Sequence, residues 1–274
     1  MGKATPIMHA GDGAPVARPR RCDLLASVLG GTRRSFVPVR RIFLQLPEKS
    51  GKSRGSVLAS LTRPSSALDS YLLIHALASS SEPHVADYPA ATWAQVARLD
   101  ESASFESAKS HWSKVVAKLS ALRLIESERK GNRVRYRLLN EAGGGEAYTR
   151  PKNSADGRWF RLPYSYWLEE FDKKLEHSEK LMLLISLSLP EVFSLPINQV
   201  FNWYGISEAT ARRGLRGLKD KGILARTVNH RVDPRSPTGW VEEFRYALQG
   251  SFSRKVVGEL PKMGTIESVK SVDA

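Results

Sequence analysis

Apolar residues recur in two stretches of the chain that share an order: an apolar helix, a short second helix, a third helix with one apolar seam, then two alternating strands. In the C-terminal stretch, Leu181 to Leu189 is apolar on nearly every face, the pattern of a helix central to a core. Ser178 can cap it before Glu179, and Pro190 stops it. Pro196 fits the first turn of a second helix. There Ile197, Val200, Phe201 and Tyr204 share one helical face and predict a buried stripe. Gly205 permits a sharp turn and Ser207 caps a third helix, with Ala211, Leu215 and Leu218 on its inner face. Gly222 suits a left-handed helix end. Ile223 to Val228 and Val241 to Leu248 read as strands around a polar loop, Asn229 to Gly239, with Phe244, Tyr246 and Leu248 alternating inward.

The N-terminal stretch follows the same order less clearly. Ser65 or Ser66 can cap a helix through Leu68, Leu72 and His75, and Thr92 a short helix through Trp93, Val96 and Ala97. A third helix is predicted from about Glu106 to Leu122, with Ala108, Trp112, Val115, Leu119 and Leu122 as its seam. Leu124 to Arg129 and Arg133 to Leu139 form a hairpin around Lys130-Gly131-Asn132. Alternation puts Val134, Tyr136 and Leu138 inward and Arg133, Arg135 and Arg137 outward.

Four short matches support a repeat. Ile42–Pro47 is similar to Arg158–Pro163, Ser70–His75 to Leu181–Ser186, Ala94–Val96 to Asn198–Val200, and Val134–Leu138 to Phe244–Leu248. They occur in the same order at similar offsets, which argues for an internal duplication. The expected organisation is a disordered basic arm (1–35), a first domain (36–142), a flexible linker (143–157) around three consecutive glycines, a second domain (158–250) and a tail (251–274).

Composition narrows the function. Hydrophobic residues at 41 % and charged residues at 26 % of 274 are ordinary for a globular chain. Cys22 is the one cysteine, so neither an internal disulfide nor a multi-cysteine zinc site can form. The six histidines are scattered without metal-ligand spacing, so no metal is expected. Gly51-Lys-Ser53 lacks the preceding glycine of a phosphate-binding loop, since Leu46 stands there. No nucleophile with its base and no carboxylate pair stands out. The expectation is therefore no enzyme, no cofactor and no small-molecule substrate. No apolar run is long enough to span a bilayer and Met1 to Arg21 has no apolar centre, so neither membrane nor export is expected, and the cytoplasm, on the nucleoid, is the expected location.

Charge is the positive clue. The formal net charge is +14, and residues 1–63 hold twelve basic against three acidic side chains. Such a surplus suits phosphate neutralisation. On the third helix of the C-terminal stretch, Arg212, Arg213 and Arg216 share one side with Thr210 beside them. Arginine is suited to paired hydrogen bonds with guanine edges and phosphates. A solvated basic face is the alternative reading.

Helix, helix, turn, basic helix and hairpin together resemble the winged helix-turn-helix family over roughly Arg158 to Gly250. The most specific part is Ile206-Ser-Glu-Ala-Thr-Ala-Arg-Arg-Gly-Leu-Arg-Gly-Leu-Lys-Asp-Lys-Gly-Ile-Leu224. The resemblance implies that the third helix enters the major groove and the hairpin, or wing, touches backbone or minor groove. Thr210, Arg212, Arg213 and Arg216 would then face DNA, with Arg231 on the wing. In the first copy the corresponding candidates are Lys109, Ser110, Ser113 and Lys114 on the third helix and Arg133 and Arg135 on the wing. Lysine specifies bases less well than arginine, so this copy holds phosphates or serves a homodimer. The expected fold is mainly α with small β-hairpin wings (α+β), two tandem winged helix-turn-helix domains. The expected partner is double-stranded DNA and the expected role a transcription regulator. The alternatives are a plasmid-type replication initiator, some families of which resemble two linked winged helices, and a winged-helix scaffold for protein interactions.

Overall fold

A computed structural model describes residues 19–32, 34–47, 54–61, 66–97, 104–151 and 157–260. The first element is a helix, α1 (Arg21–Gly30), followed by strand β1 (Phe36–Arg40) and a turn of 3-10 helix. Two helices follow, the short α2 (Val57–Ser60) and the central α3 (Ser66–Leu77), every residue of which is buried. Then come β2 (Val85–Pro89), α4 (Ala90–Val96), α5 (Phe105–Ala121) and a hairpin of β3 (Ile125–Lys130) and β4 (Arg133–Leu138). The second half runs β5 (Trp159–Pro163), the short helices α6 (Ser165–Leu168) and α7 (Phe171–Lys174), and its central helix α8 (His177–Leu187). It ends with α9 (Val200–Tyr204), α10 (Glu208–Asp220), a long hairpin of β6 (Leu224–Val232) and β7 (Trp240–Leu248), and α11 (Arg254–Glu259). Helix outweighs strand, 46 % to 22 %, in keeping with an α+β chain.

The two halves are joined through a sheet and a core. β1 and β5 pair antiparallel with Pro38 opposite Arg161 at the centre. A proline is tolerated there because the sheet has two strands and each keeps a free edge. Val37, Val39, Phe160 and Leu162 on these strands belong to one apolar cluster that also holds the central helices of both halves. Beside it lies a buried polar cluster. Arg21 donates to the Asp172 carboxylate and, 2.8 Å away, to the carbonyl of Val96. Lys180 Nζ lies 2.8 Å from Asp69 and 2.6 Å from the Asp172 carbonyl, and the Tyr166 hydroxyl donates to Asp69 at 2.6 Å. Burial pushes both aspartates above the usual carboxylate range, against the pull of Lys180 on Asp69 and of Arg21 on Asp172.

These contacts correct three expectations. The part of the arm from residue 19 to 32 carries α1 and is anchored, because Leu25, Val28 and Leu29 are buried and Arg21 has a buried counter-ion. Residues 1–18 lie outside the described residues. The linker is not a free tether over 143–151. Glu141 just before it is buried against Arg40, Tyr148 packs edge-on to His75 and His84, and Arg150 donates to the Ser79 carbonyl at 2.9 Å. Residues 152–156 lie outside the description. The tail carries α11, with Phe252 and Val257 buried, and residues 261–274 are not described.

Smaller differences concern caps and strands. α8 starts at His177, capped by Glu176 and Glu179 in a reciprocal pair, so Ser178 is inside the helix. Thr92 is likewise within α4, which follows Pro89. Phe201 is 56 % exposed, whereas Val200 and Tyr204 of the same expected stripe are buried. The matched run Ile42–Pro47 lies on the 3-10 turn and the residues after it, whereas its counterpart Arg158–Pro163 lies on β5. The other three matched runs fall on α3 and α8, on α4 and the 3-10 turn that leads into α9, and on β4 and β7. β2, which sequence reading missed, adds a third strand to the first hairpin, in the order β2-β4-β3.

Candidate nucleic-acid interface

α10 forms where the sequence predicts it. Ser207 caps its start, accepting from the Thr210 amide at 3.2 Å, and Gly205 before it takes φ 68°. Gly222, at φ 71°, closes its end, with the Ile223 amide donating back to Leu218 at 2.9 Å. Ala211, Leu215 and Leu218 are buried as expected. Sequence reading missed Gly214, which lies against α8. A Cβ there would meet the Ser178 carbonyl oxygen at 2.2 Å and Met182 Cγ at 2.6 Å. The two helices touch because residue 214 has no side chain.

The opposite face is open. Arg212, Arg213 and Arg216 are exposed on it. Arg212 pairs at 3.4 Å with Glu208 one turn earlier, a solvated contact worth little and easily exchanged. Arg213 Nε lies 3.4 Å from Ser178 Oγ, so its stem leans back toward α8. Arg216 has no hydrogen-bond or ion-pair partner among the described residues. The Thr210 hydroxyl is 2.9 Å from Ser207 Oγ and is half-buried at the cap.

The hairpin stands beside this face. Its strands are longer than expected, so Arg231 is in β6 near the tip rather than in a loop, 3.4 Å from Asp233. The continuous ladder from Leu224↔Leu248 to Val232↔Trp240 accounts for the extension. Tyr246 and Leu248 are buried at the base, whereas Phe244 is 36 % exposed because the outer hairpin leaves the body. Arg226 lies 4.7 Å over the Phe244 ring. The Tyr246 hydroxyl is pushed up by burial and pulled back by nearby Arg226 and Arg212. Arg226, another residue missed in the sequence, therefore acts with Arg212 on Tyr246 near the root of the hairpin.

In the first half, Lys109, Ser110, Ser113 and Lys114 are all exposed on α5, whose opposite face buries Ala108, Trp112, Val115 and Leu119. Lys109 is engaged with Glu106 at 2.8 Å and lies over the Phe105 ring. Ser113 donates to the Lys109 carbonyl at 3.1 Å. Arg133 and Arg135 point outward as expected, yet both bind one carboxylate, Asp87 of β2, at 2.8 and 3.1 Å. The hydrogen bond from Arg133 holds Asp87 below its ordinary value. Arg137 pairs with Glu126 on the neighbouring strand. The basic face of this hairpin is thus largely neutralised within its own sheet, by an acid on a strand that sequence reading did not find.

No group of three or more metal-ligating side chains occurs among the described residues, and no described helix is long and apolar enough to cross a membrane. No curated protein matches the chain. Residues 190–230 match the family model of the DeoR-like helix-turn-helix domain. The match runs from just after α8 through α9, the Gly205 turn and α10 into β6, so this segment is similar to a helix-turn-helix DNA-binding domain.

Proposed function

We propose that the chain is a sequence-preferring reader of double-stranded DNA and acts as a transcription regulator. The observation that carries this reading is the two-sidedness of α10. One face is locked on α8 through Gly214, and the other offers Arg212, Arg213 and Arg216 to solvent. In the major groove these guanidinium groups reach base edges, with Thr210 beside the backbone. Arg231 and Arg226 on the hairpin meet phosphates.

The first half is the second winged helix of an internal duplication in this reading. Its support is the common order of central helix, second helix, third helix and hairpin, and the three matched runs that fall on corresponding elements. Lys109, Ser110, Ser113 and Lys114 contact phosphates, with Arg133 and Arg135 held in reserve by Asp87. Because β1 and β5 join the halves, one chain brings two third helices to DNA in a fixed relation, without a homodimer. The second reading is a plasmid-type replication initiator that engages an origin repeat with both halves. Selection of bound fragments from genomic DNA tests both. Enrichment of sites upstream of coding regions supports the regulator, enrichment of repeats at a replication origin supports the initiator, and no enrichment over random fragments refutes sequence preference.

A further inference from the structure

A cavity of about 270 Å³ lies under the second hairpin, between β5, the end of α8 and α11. Its walls are largely aromatic and aliphatic, with Trp159, Phe193 and Phe252 prominent. Two cations line it, Arg161 and Arg254. Arg161 is half-buried, stacked at 4.6 Å on the Phe36 ring, and donates at 3.1 Å to the carbonyls of Val257, Gly258 and Leu260. Neither arginine has an ion-pair partner among the described residues. Burial and the neighbouring Arg254 charge both lower the proton affinity of Arg161, whose compensation comes from neutral carbonyls and not from a carboxylate. Glu191 also lines the cavity but is exposed at its rim.

A second, independent observation comes from Ser186 on α8. It is 2 % exposed, lines the cavity, and its hydroxyl has no hydrogen-bond partner among the described residues. A buried hydroxyl left unsatisfied is costly, so it marks a place where a polar ligand atom gains. The matching position of α3 is His75. There the space is filled, with the His75 ring 5.8 Å from Tyr71 and 4.8 Å from Tyr148. The second half instead has a small side chain and a void.

We infer that this cavity binds a small organic anion, an apolar body carrying one carboxylate or phosphate, with the acid group at Arg161 and Arg254 and a polar atom at Ser186. Convergent polar groups in an otherwise apolar pocket are the usual anatomy of a small-ligand site. The site is separate from the face of α10 assigned to DNA, and the inference stands whether or not that face reads DNA.

Ligand-observed NMR on the full chain tests it. The probes are phenylacetate, indole-3-acetate, isovalerate and phenyl phosphate, each beside its neutral amide or alcohol. At least one acid is expected to bind about ten-fold more tightly than its neutral partner. Arg161→Gln should remove that preference, and Arg161→Lys should retain part of it. Ser186→Leu, which fills the void while leaving both arginines, should abolish binding with the circular dichroism spectrum unchanged. Absence of binding by all four acids, equal binding of acids and neutral partners, or undiminished binding to a folded Ser186→Leu chain would each overturn the inference.

Discussion

Arg21 and Asp172 form an ion pair across 151 positions of sequence, with side chains 3 % and 0 % exposed. The pair ties α1 to α7 and so the start of the chain to its second half. Breaking a buried pair from one side leaves a charge without compensation, which costs about 3–5 kcal/mol. Arg21→Ala is expected to lower stability by that amount in urea unfolding. The double change Arg21→Met with Asp172→Leu, which removes both charges, should recover most of the loss. A similar loss in single and double variants would show that packing, not charge, is at stake. The isolated stretch 158–250 is expected to unfold, since β5 loses β1 and Asp172 loses Arg21.

Gly214 gives a second prediction. A Cβ at 2.2 Å from a backbone oxygen cannot be relieved by a side-chain rotation, so α10 must move off α8. Gly214→Ala should cost about 1–3 kcal/mol, as overpacking does, although alanine is the better helix former by about 1 kcal/mol. A thermal melt at or above the wild-type midpoint would contradict the close approach.

The clamp at Asp87 predicts a gain. Asp87→Asn leaves Arg133 and Arg135 without a counter-charge on an exposed sheet. Each phosphate newly neutralised should steepen the slope of log K against log salt by about 0.9. Non-specific DNA affinity at low salt should therefore rise and its salt dependence sharpen. An unchanged slope would remove the first hairpin from the interface.

His75 is buried among Tyr71, Tyr148 and the guanidinium groups of Arg150, Arg34 and Arg40, and burial is the main reason its proton affinity falls well below the ordinary 6.5. The unfolded chain therefore binds a proton near 6.5 that the folded chain refuses. The contribution is fully present above that pH and is lost as the pH falls through it, by up to about 1.4 kcal/mol per pH unit. Relative to His75→Phe, wild-type stability should decline between pH 7 and 5. Parallel curves would mean that His75 titrates alike in both states.

The helices and hairpins were legible because their signals are local. The seam of α5, the Ser207 cap and the Gly205 and Gly222 turns each depend on neighbours within a few residues. What escaped depends on distant partners. Arg21 looks like part of a basic arm until Asp172 is beside it, and Arg133 looks like a phosphate ligand until β2 brings up Asp87. Phe201 fits a helical stripe by spacing, but α9 has only five residues and follows a 3-10 turn, so a regular α-helical stripe from Ile197 does not form. Gly214 sits on the helix face that spacing assigns to the core, yet a glycine adds nothing to an apolar count. The outward set of Arg212, Arg213 and Arg216 was legible because three cations on one face follow from helix periodicity alone.

The central claim, that the open face of α10 reads DNA, is tested most directly by hydroxyl-radical footprinting on a selected fragment, titrated with wild type and with Arg212→Ala, Arg213→Ala and Arg216→Ala singly. Specific affinity should fall by about 1–3 kcal/mol wherever the removed side chain contacts a base, with circular dichroism and melting unchanged and protection lost over one major-groove segment. Wild-type affinity and an unaltered footprint in all three folded variants would contradict it.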